Sequence, residues 1–506
     1  MISDEYHMRY RTHILNNRRF FNRLIADILR AHEYPELLRR AKIATSFALT
    51  ASTGYYSSPD IEHALLQIAS TIHVPLCAEY TPDSFLHVMT RAYLDGGHTR
   101  VVERWIEMSD SHQKHSLLIT NQSDSEIPSR LKAAVNSRQG ALVLFDKQTP
   151  DLSKGGELRR LASGFQTIIL HAHMHDVVPM LAFGSKEFTR PVLLFNHADH
   201  KFWLGVSIAD FVAEFRTMGQ EISLKYRGVS TQRSAVIGLA TETLEEPRSR
   251  DECISPVTLA DGEKLAITVG FPYKYRPFAG LDFKEAVRAL LSSHRNLKFV
   301  AIGPDERKQK EWAALASEFQ GRFSAVGIVP HDQLKSYLKA ASLALDSFPM
   351  SGGTALLDFV AAGVPVLSLR NPVGQLDYIR FSEAYCADLG ELISKAGHIL
   401  HNQPGQDKKI ESLKEAAKKH CSTRSVKAAI DDLYRRLPDE HRLYCFESQC
   451  SLTELDMYLE SEYKRRARGL RGFFTYETRK SSWKSIFIRL QLLRWCRWII
   501  RRKPYN

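Results

Sequence analysis

Between Phe85 and Leu433 the chain runs twice through one rhythm: a short apolar segment, a turn, an amphipathic stretch, then another short apolar segment. The first series is "FLHVMT", "HSLLIT", "ALVLF", "FQTIIL" and "PVLLF", with "RSAVIGLA" at its end. The second is "KLAITVG", "LKFVAIG", "FSAVGI", "SLALDS" and "VPVLSL". Apolar runs of this kind need cover on both faces, and strands separated by helix-length segments pair in parallel. The rhythm therefore predicts an α/β chain with two Rossmann-like domains. Between the two series, "TETLEEPRSRDECISPVTLA" brings Pro, Ser and charge together, as an interdomain linker does. Two such domains in tandem make a cleft between the carboxyl ends of their strands, where ligands bind.

The flanks differ from this body. "RRFFNRLIADILRAHEY" spaces Phe20, Phe21, Leu24, Ile25, Ile28 and Leu29 at helical intervals, and "SSPDIEHALLQIASTI" opens with a helix-start signal. The expected organisation is a helical extension over 1–80, a first α/β domain over 81–250, a second over 251–435, and a basic helical tail over 436–506. The net charge of +12 is concentrated in that tail. Residues 464–503 hold 14 Lys or Arg against one acid, Glu477, leaving 55 basic and 56 acidic residues elsewhere. Trp483, Ile486, Phe487, Leu490 and Leu493 interleave with Lys484, Arg489, Arg494 and Arg497, a pattern suited to an anionic bilayer surface. The alternative is a terminal helix packing its apolar stripe on the body. The neutral body and the lack of a recognition-helix or RNA-binding signature argue against nucleic acid. The seven cysteines are scattered without a C-x-x-C pair, and the first residues have no apolar signal-peptide core. A cytoplasmic protein, peripheral at the inner face of the plasma membrane, is expected.

Two segments of the second domain carry chemistry. "LDSFPMSGGTALLDFVAAGVPVLSL" reads as strand, Gly loop, helix, Gly-x-Pro turn and strand. Glycines before a helix leave N–H groups bare at the positive end of the helix dipole, which makes Ser351, Gly352, Gly353 and Thr354 an anion seat. The other reading is an ordinary βαβ turn. Asp358 lies four residues after Thr354, on the same helix face, where a carboxylate can accept from ribose hydroxyls. In "AITVGFPYKYRPFAG", Lys274 sits just past a strand end, flanked by Tyr273 and Arg276. A lysine there and the helix start at Gly353 make a two-sided clamp for a diphosphate.

"TVGFPYKYRP" is similar to the donor loop of the O-linked N-acetylglucosamine transferase family, and "LDSFPMSGGTALLDFVAAGVPVLSL" resembles that family's second donor segment. The two-domain layout looks like a GT-B glycosyltransferase. The resemblance implies that Lys274 contacts the donor diphosphate, that Gly353 and Thr354 seat phosphate, and that Asp358 holds the ribose. It extends to bacterial relatives that glucosylate adhesins in the cytoplasm. The tetratricopeptide array of the eukaryotic members is missing, and Phe271 stands where they have a polar residue. Retaining GT-B enzymes carry Glu-x7-Glu here; this chain has Met350 and Asp358 at those positions, which favours an inverting enzyme.

An inverting transfer needs a general base. "LHAHMHDVVPM" offers His171, His173, His175 and Asp176, and "LLFNHADHKFWLG" offers His197, Asp199 and His200, all past strand ends. His197 is the first candidate and His173 the second, with Asp199 as orienting carboxylate. Capping of strand ends is the competing role for each histidine. Zinc on His-x-His-x-His is the weaker alternative, since no further ligand set accompanies it. "YLDGGHTRVVERW" gives a second Gly-Gly before a helix, placing Gly96, Gly97, His98 and Thr99 at the cleft through the resemblance.

The expected activity is therefore a metal-independent, inverting glycosyl transfer, hexosyl or N-acetylhexosaminyl. The donor is a nucleotide-diphosphate sugar, with UDP the expected nucleotide, and no cofactor is needed. The acceptor is a cell-envelope glycan, a lipid-linked acceptor or a protein. Two rivals stay open: a nucleotide-sugar 2-epimerase on the same fold, and a non-catalytic sugar-nucleotide-binding protein.

Overall fold

The structure is a computed structural model describing residues 4–94, 97–241, 257–353, 355–402 and 404–469. Gly96, Thr354 and the Trp- and Arg-rich part of the tail from 470 onward lie outside the described residues.

Two parallel sheets form the body. The first contains β1 (Thr81–Met89), β2 (Lys114–Ile119), β3 (Leu142–Leu144), β4 (Phe165–His171), β5 (Val192–Phe195), β6 (Phe211–Glu214) and β7 (Ser234–Val236). Its spatial order is β3-β2-β1-β4-β5-β6-β7. The second contains β8 (Lys264–Val269), β9 (Leu297–Ile302), β10 (Phe323–Gly327), β11 (Leu343–Leu345), β12 (Val366–Leu369) and β13 (Tyr385–Cys386), in the order β10-β9-β8-β11-β12-β13. In both sheets the order reverses beside the first strand. Crevices therefore open at the carboxyl ends of β1/β4 and β8/β11, the places where doubly wound sheets take ligands.

Each apolar run of the sequence falls on a strand. β6 and β13 are additional: "FVAE" is a four-residue strand following the Gly205–Asp210 turn, and β13 is a two-residue edge. Both sheets carry core on each face. Phe283, Leu290, Trp312 and Phe323 lie in one cluster of the second domain, with Leu356, Val360 and Tyr378 in the other.

The N-terminal helices Asp4–Leu29, Tyr34–Thr50 and Pro59–Ala69 share one core with the first domain, where Phe21, Phe47, Leu65 and Ile68 join Leu158, Leu181 and Phe183. The last of these helices starts where the Ser58 side chain accepts from the Ile61 N–H. The chain then returns at its other end. In the helix Thr423–Arg436, Val426, Ile430 and Leu433 pack with Phe85, Trp105 and Ile169 of the first domain. Trp105 Nε1 also donates to the Tyr434 hydroxyl at 2.9 Å. The following strap is pinned by His441 to Asp210 at 2.7 Å and by the Ser451 N–H to the Gly54 carbonyl at 2.6 Å. It leads to the helix Glu454–Gly469, where Glu460 accepts from Asn17 Nδ2 at 2.9 Å.

The domains also touch directly. Arg216 Nη1 donates to the Gly374 carbonyl at 2.7 Å, and Met350 of the second domain packs beside a cluster containing Ile14 of the first N-terminal helix and Ile222 of the first domain. No helix among the described residues is long and apolar enough to cross a membrane.

Candidate active site

The second-domain seat is built from two loops at the β8/β11 crevice. β11 ends into Asp346, which is 2% exposed. Burial raises the pKa of its carboxyl, against the stabilising Ser368, Gly352 and Ser351 hydrogen bonds and the Lys274 charge. Oδ2 accepts from Ser351 Oγ at 2.7 Å and Ser368 Oγ at 2.6 Å, and Oδ1 accepts from the Gly352 N–H at 2.6 Å. The loop after β8 comes to the same place. Lys274 Nζ donates to the Ser351 carbonyl at 2.9 Å, leaving the ammonium's other N–H donors for a ligand. Burial lowers the Lys274 pKa, with Asp346 opposing the shift.

The cation and the Gly loop thus converge. The expectation that the loop amides are bare is corrected. The Gly352 N–H is taken by Asp346, and the Gly353 N–H donates to Ser351 Oγ at 3.3 Å. A buried carboxylate needs donors, and these amides supply them. Gly353 has φ +64°, a left-handed backbone that L side chains rarely adopt, and it turns the chain into the helix Ala355–Ala362. Asp358 lies half-buried in the first turn of that helix. Tyr273 is partly exposed and stacks on the exposed Phe271, with rings 6.1 Å apart. Arg276 points elsewhere, to Glu462 of the C-terminal helix at 3.3 Å.

The first-domain wall lies at the β1/β4 crevice and beside it. β4 ends on His171, His197 follows β5, and His98 sits in the first turn of the helix Gly97–Met108 after β1. His98 Nε2 is 2.7 Å from the His171 carbonyl. A carbonyl only accepts, so His98 carries its proton on Nε2, and its buried Nδ1 is a lone pair with no partner among the described residues. His98 and His197 have ring centroids 4.2 Å apart and, with His173 and Asn196, line one cavity. His173 Nε2 lies 3.2 Å from the Tyr93 hydroxyl, under a stacked Tyr93 ring. Thr99 is buried, and its hydroxyl accepts from the Tyr93 N–H at 2.7 Å, so it shapes the loop.

Asp199 does not orient His197. It is fully buried, and it is ion-paired to Arg216 Nε at 2.5 Å and Nη2 at 3.0 Å, with His200 Nδ1 also at 3.0 Å. Burial alone raises its pKa, but the Arg216 guanidinium and His200 bring it below the usual value. The group that meets His197 is His171, whose Nδ1 is 2.8 Å from His197 Nε2. His171 was expected as one member of a histidine run, not as the ring between two others. His87 and His115, which extend the contact, were not singled out. The available signal was a histidine inside each of the apolar strands β1, β2 and β4.

Burial lowers the pKa values of His87, His171 and His197 well below the ordinary imidazole value, brings His173 to about 4, and lowers His98 despite its carbonyl bond. The wall is therefore neutral imidazole at neutral pH. Among the described residues, no group of three or more His, Cys, Asp or Glu is arranged to hold a metal ion.

Solved structures share this architecture. A mutant of the Thermobaculum terrenum O-GlcNAc transferase superposes with a TM-score of 0.50 at 14% identity, over 84% of this chain and 82% of that one. The chain has the GT-B fold. Two further GT-B structures align with 70% of this chain and 100% of their own. One is Anabaena HepE in complex with UDP-glucose, at TM-score 0.48 and 12% identity. The other is the lipopolysaccharide outer core galactosyltransferase WaaB, at 0.48 and 14%. No protein-family model and no curated protein sequence matches. In this GT-B protein the Lys274–Ser351 seat and the histidine wall each lie at the strand-order reversal of their own sheet.

Proposed function

We propose that this GT-B protein transfers a sugar from a UDP-sugar to an acceptor hydroxyl with inversion. The observation that carries the reading is the 2.9 Å contact between Lys274 Nζ and the Ser351 carbonyl at the β8/β11 crevice. It places a desolvated cation beside a helix start, and both favour the charge that develops on a departing diphosphate. Asp358, in the first turn of that helix, holds the ribose, and Tyr273 flanks the base side. The leaving group is stabilised by the protein's own charges, and a metal ion is not needed on this reading.

The acceptor enters from the first domain, where its proton passes to a histidine. His98 Nδ1 is a lone pair fixed by a backbone carbonyl, which suits it, ahead of His197 and His173, to the role of general base. The acceptor is a cell-envelope glycan, a lipid-linked acceptor or a protein. The basic, Trp-rich segment of 464–503 would hold the enzyme at the cytoplasmic face of an anionic membrane.

A thermal-shift panel of UDP, GDP and their sugars tests the donor, since a ligand that binds the folded state raises its melting temperature. UDP and a UDP-sugar should stabilise the protein more than the guanine series. A UDP-sugar converted to its epimer with no acceptor present would instead establish the epimerase. Binding without turnover across an acceptor panel would establish a nucleotide-binding protein.

A further inference from the structure

Four imidazoles form a continuous line through the first sheet. His115 Nδ1 is 2.9 Å from His87 Nε2, His87 Nδ1 is 3.0 Å from His171 Nε2, and His171 Nδ1 is 2.8 Å from His197 Nε2. The strand register explains the alignment. His115 pairs with Phe85 and His171 with Met89, so both share the face of β1 that carries His87. His87, His115 and His171 are 0% exposed. Phe85 stacks on His115 at 4.7 Å, while Trp105 lies edge-on to His87 and His171. The line is buried until it reaches His197 at the cavity.

A neutral imidazole has one N–H and one lone pair. Each inner ring uses both nitrogens, so all the hydrogen bonds must point the same way and a single choice sets every tautomer. The far end makes that choice. His115 Nε2 is buried and has no partner among the described residues, and the Arg138 charge acts on this ring. A buried orphan N–H is rarer and costlier than an unused lone pair. A neighbouring cation also favours the lone pair. The proton of His115 therefore sits on Nδ1 and points into the line.

We infer that this line sets His197 to carry its proton on Nδ1, so that His197 and His98 together form a receptor for one hydroxyl group. His171 writes both halves: its ring Nδ1–H occupies His197 Nε2, and its carbonyl occupies His98 Nε2–H. His197 then donates a hydrogen bond to the acceptor oxygen, and the His98 lone pair takes that hydroxyl's hydrogen. His197 is thus a donor to the acceptor and not its base. His171, His87 and His115 act as positioning residues. The role in transfer rests on the glycosyltransferase reading; the tautomer does not.

The test is two-bond 15N–1H correlation on the full chain labelled with 15N-histidine, which reports which ring nitrogen carries the proton. The expected spectrum has Nδ1–H at His115, His87, His171 and His197, and Nε2–H at His98. Nε2–H at His197, or an equal mixture there, overturns the inference. Two variants add a functional readout. His115→Asn keeps a donor near the Nδ1 position and should hold the His197 tautomer. His115→Leu removes it and should mix the His197 tautomers and lower kcat about tenfold at constant donor KM. A His115→Leu protein with one His197 tautomer and unchanged kcat contradicts the inference. If His115→Leu fails to fold, the spectrum of the unaltered chain decides alone. A chain with the stated tautomers and no transferase activity would overturn the enzyme reading and leave this inference standing.

Discussion

Thr217 is tied to Asp377 across the domain boundary. Its N–H donates to the carboxylate at 3.0 Å and its hydroxyl at 2.8 Å. Both groups belong to short helices at facing edges, Thr217–Ile222 in the first domain and Asp377–Arg380 in the second. Asp377 is 5% exposed, and next to this contact Arg216 joins Asp199 to the Gly374 carbonyl. The joint fixes the wall bearing His197 relative to the second domain.

Asp377→Ala leaves the half-buried Thr217 N–H without its acceptor. The expected loss is about 1–3 kcal/mol of stability. Urea unfolding should show a lower midpoint for Asp377→Ala, and Asp377→Asn, which retains one acceptor, should recover part of it. Equal midpoints for the unaltered protein and Asp377→Ala would remove the joint from the account.

Asp346 organises the loop 351–353 from beneath, through Ser351, Ser368 and the Gly352 N–H. Asp346→Ala should weaken UDP binding about tenfold by calorimetry, because the loop that meets Lys274 loses its shared acceptor. Asp358→Ala should weaken UDP binding while affecting inorganic pyrophosphate much less, since its proposed partner is the ribose. An equal loss for both ligands would move Asp358 from the ribose to the phosphates.

The histidine wall gives the protein an acid-sensitive stability. Burial is the first cause of the lowered values, so folded His115 and His173 take up protons only near pH 3 and 4, against an ordinary 6.5. Between these limits the unfolded chain binds more protons than the folded one. Stability is therefore full above about pH 6.5 and falls as pH drops toward 4, by up to about 1.4 kcal/mol per pH unit for each such histidine. Urea midpoints at pH 7.5 and 5.0 should differ accordingly, and His87→Gln should flatten the difference. A midpoint independent of pH over this range would contradict the neutral wall.

Strand positions and the two loops at the second crevice were legible because apolar runs, Gly-Gly and a lysine at a strand end are local signals. The partners were not. That Asp199 pairs with Arg216 depends on how the loop after β5 folds onto the end of β6, and no spacing encodes it. That the Gly352 amide serves Asp346 requires knowing that this aspartate is buried. His87 and His115 look like interruptions of apolar strands until the register sets Phe85 beside His115 and shows one face holding them all. Long-range register is a property of parallel pairing across helices, and it leaves no mark within a single strand.

On the proposed function, the Lys274 ammonium and the loop at Ser351 receive one diphosphate together. Calorimetric titration of UDP into the unaltered protein and into Lys274→Ala tests it most directly, with circular dichroism showing that both are folded. Clear binding by the first and at least a tenfold weaker affinity for the second are expected, a loss of about 1.4 kcal/mol or more. Equal UDP affinity in the two proteins would contradict it.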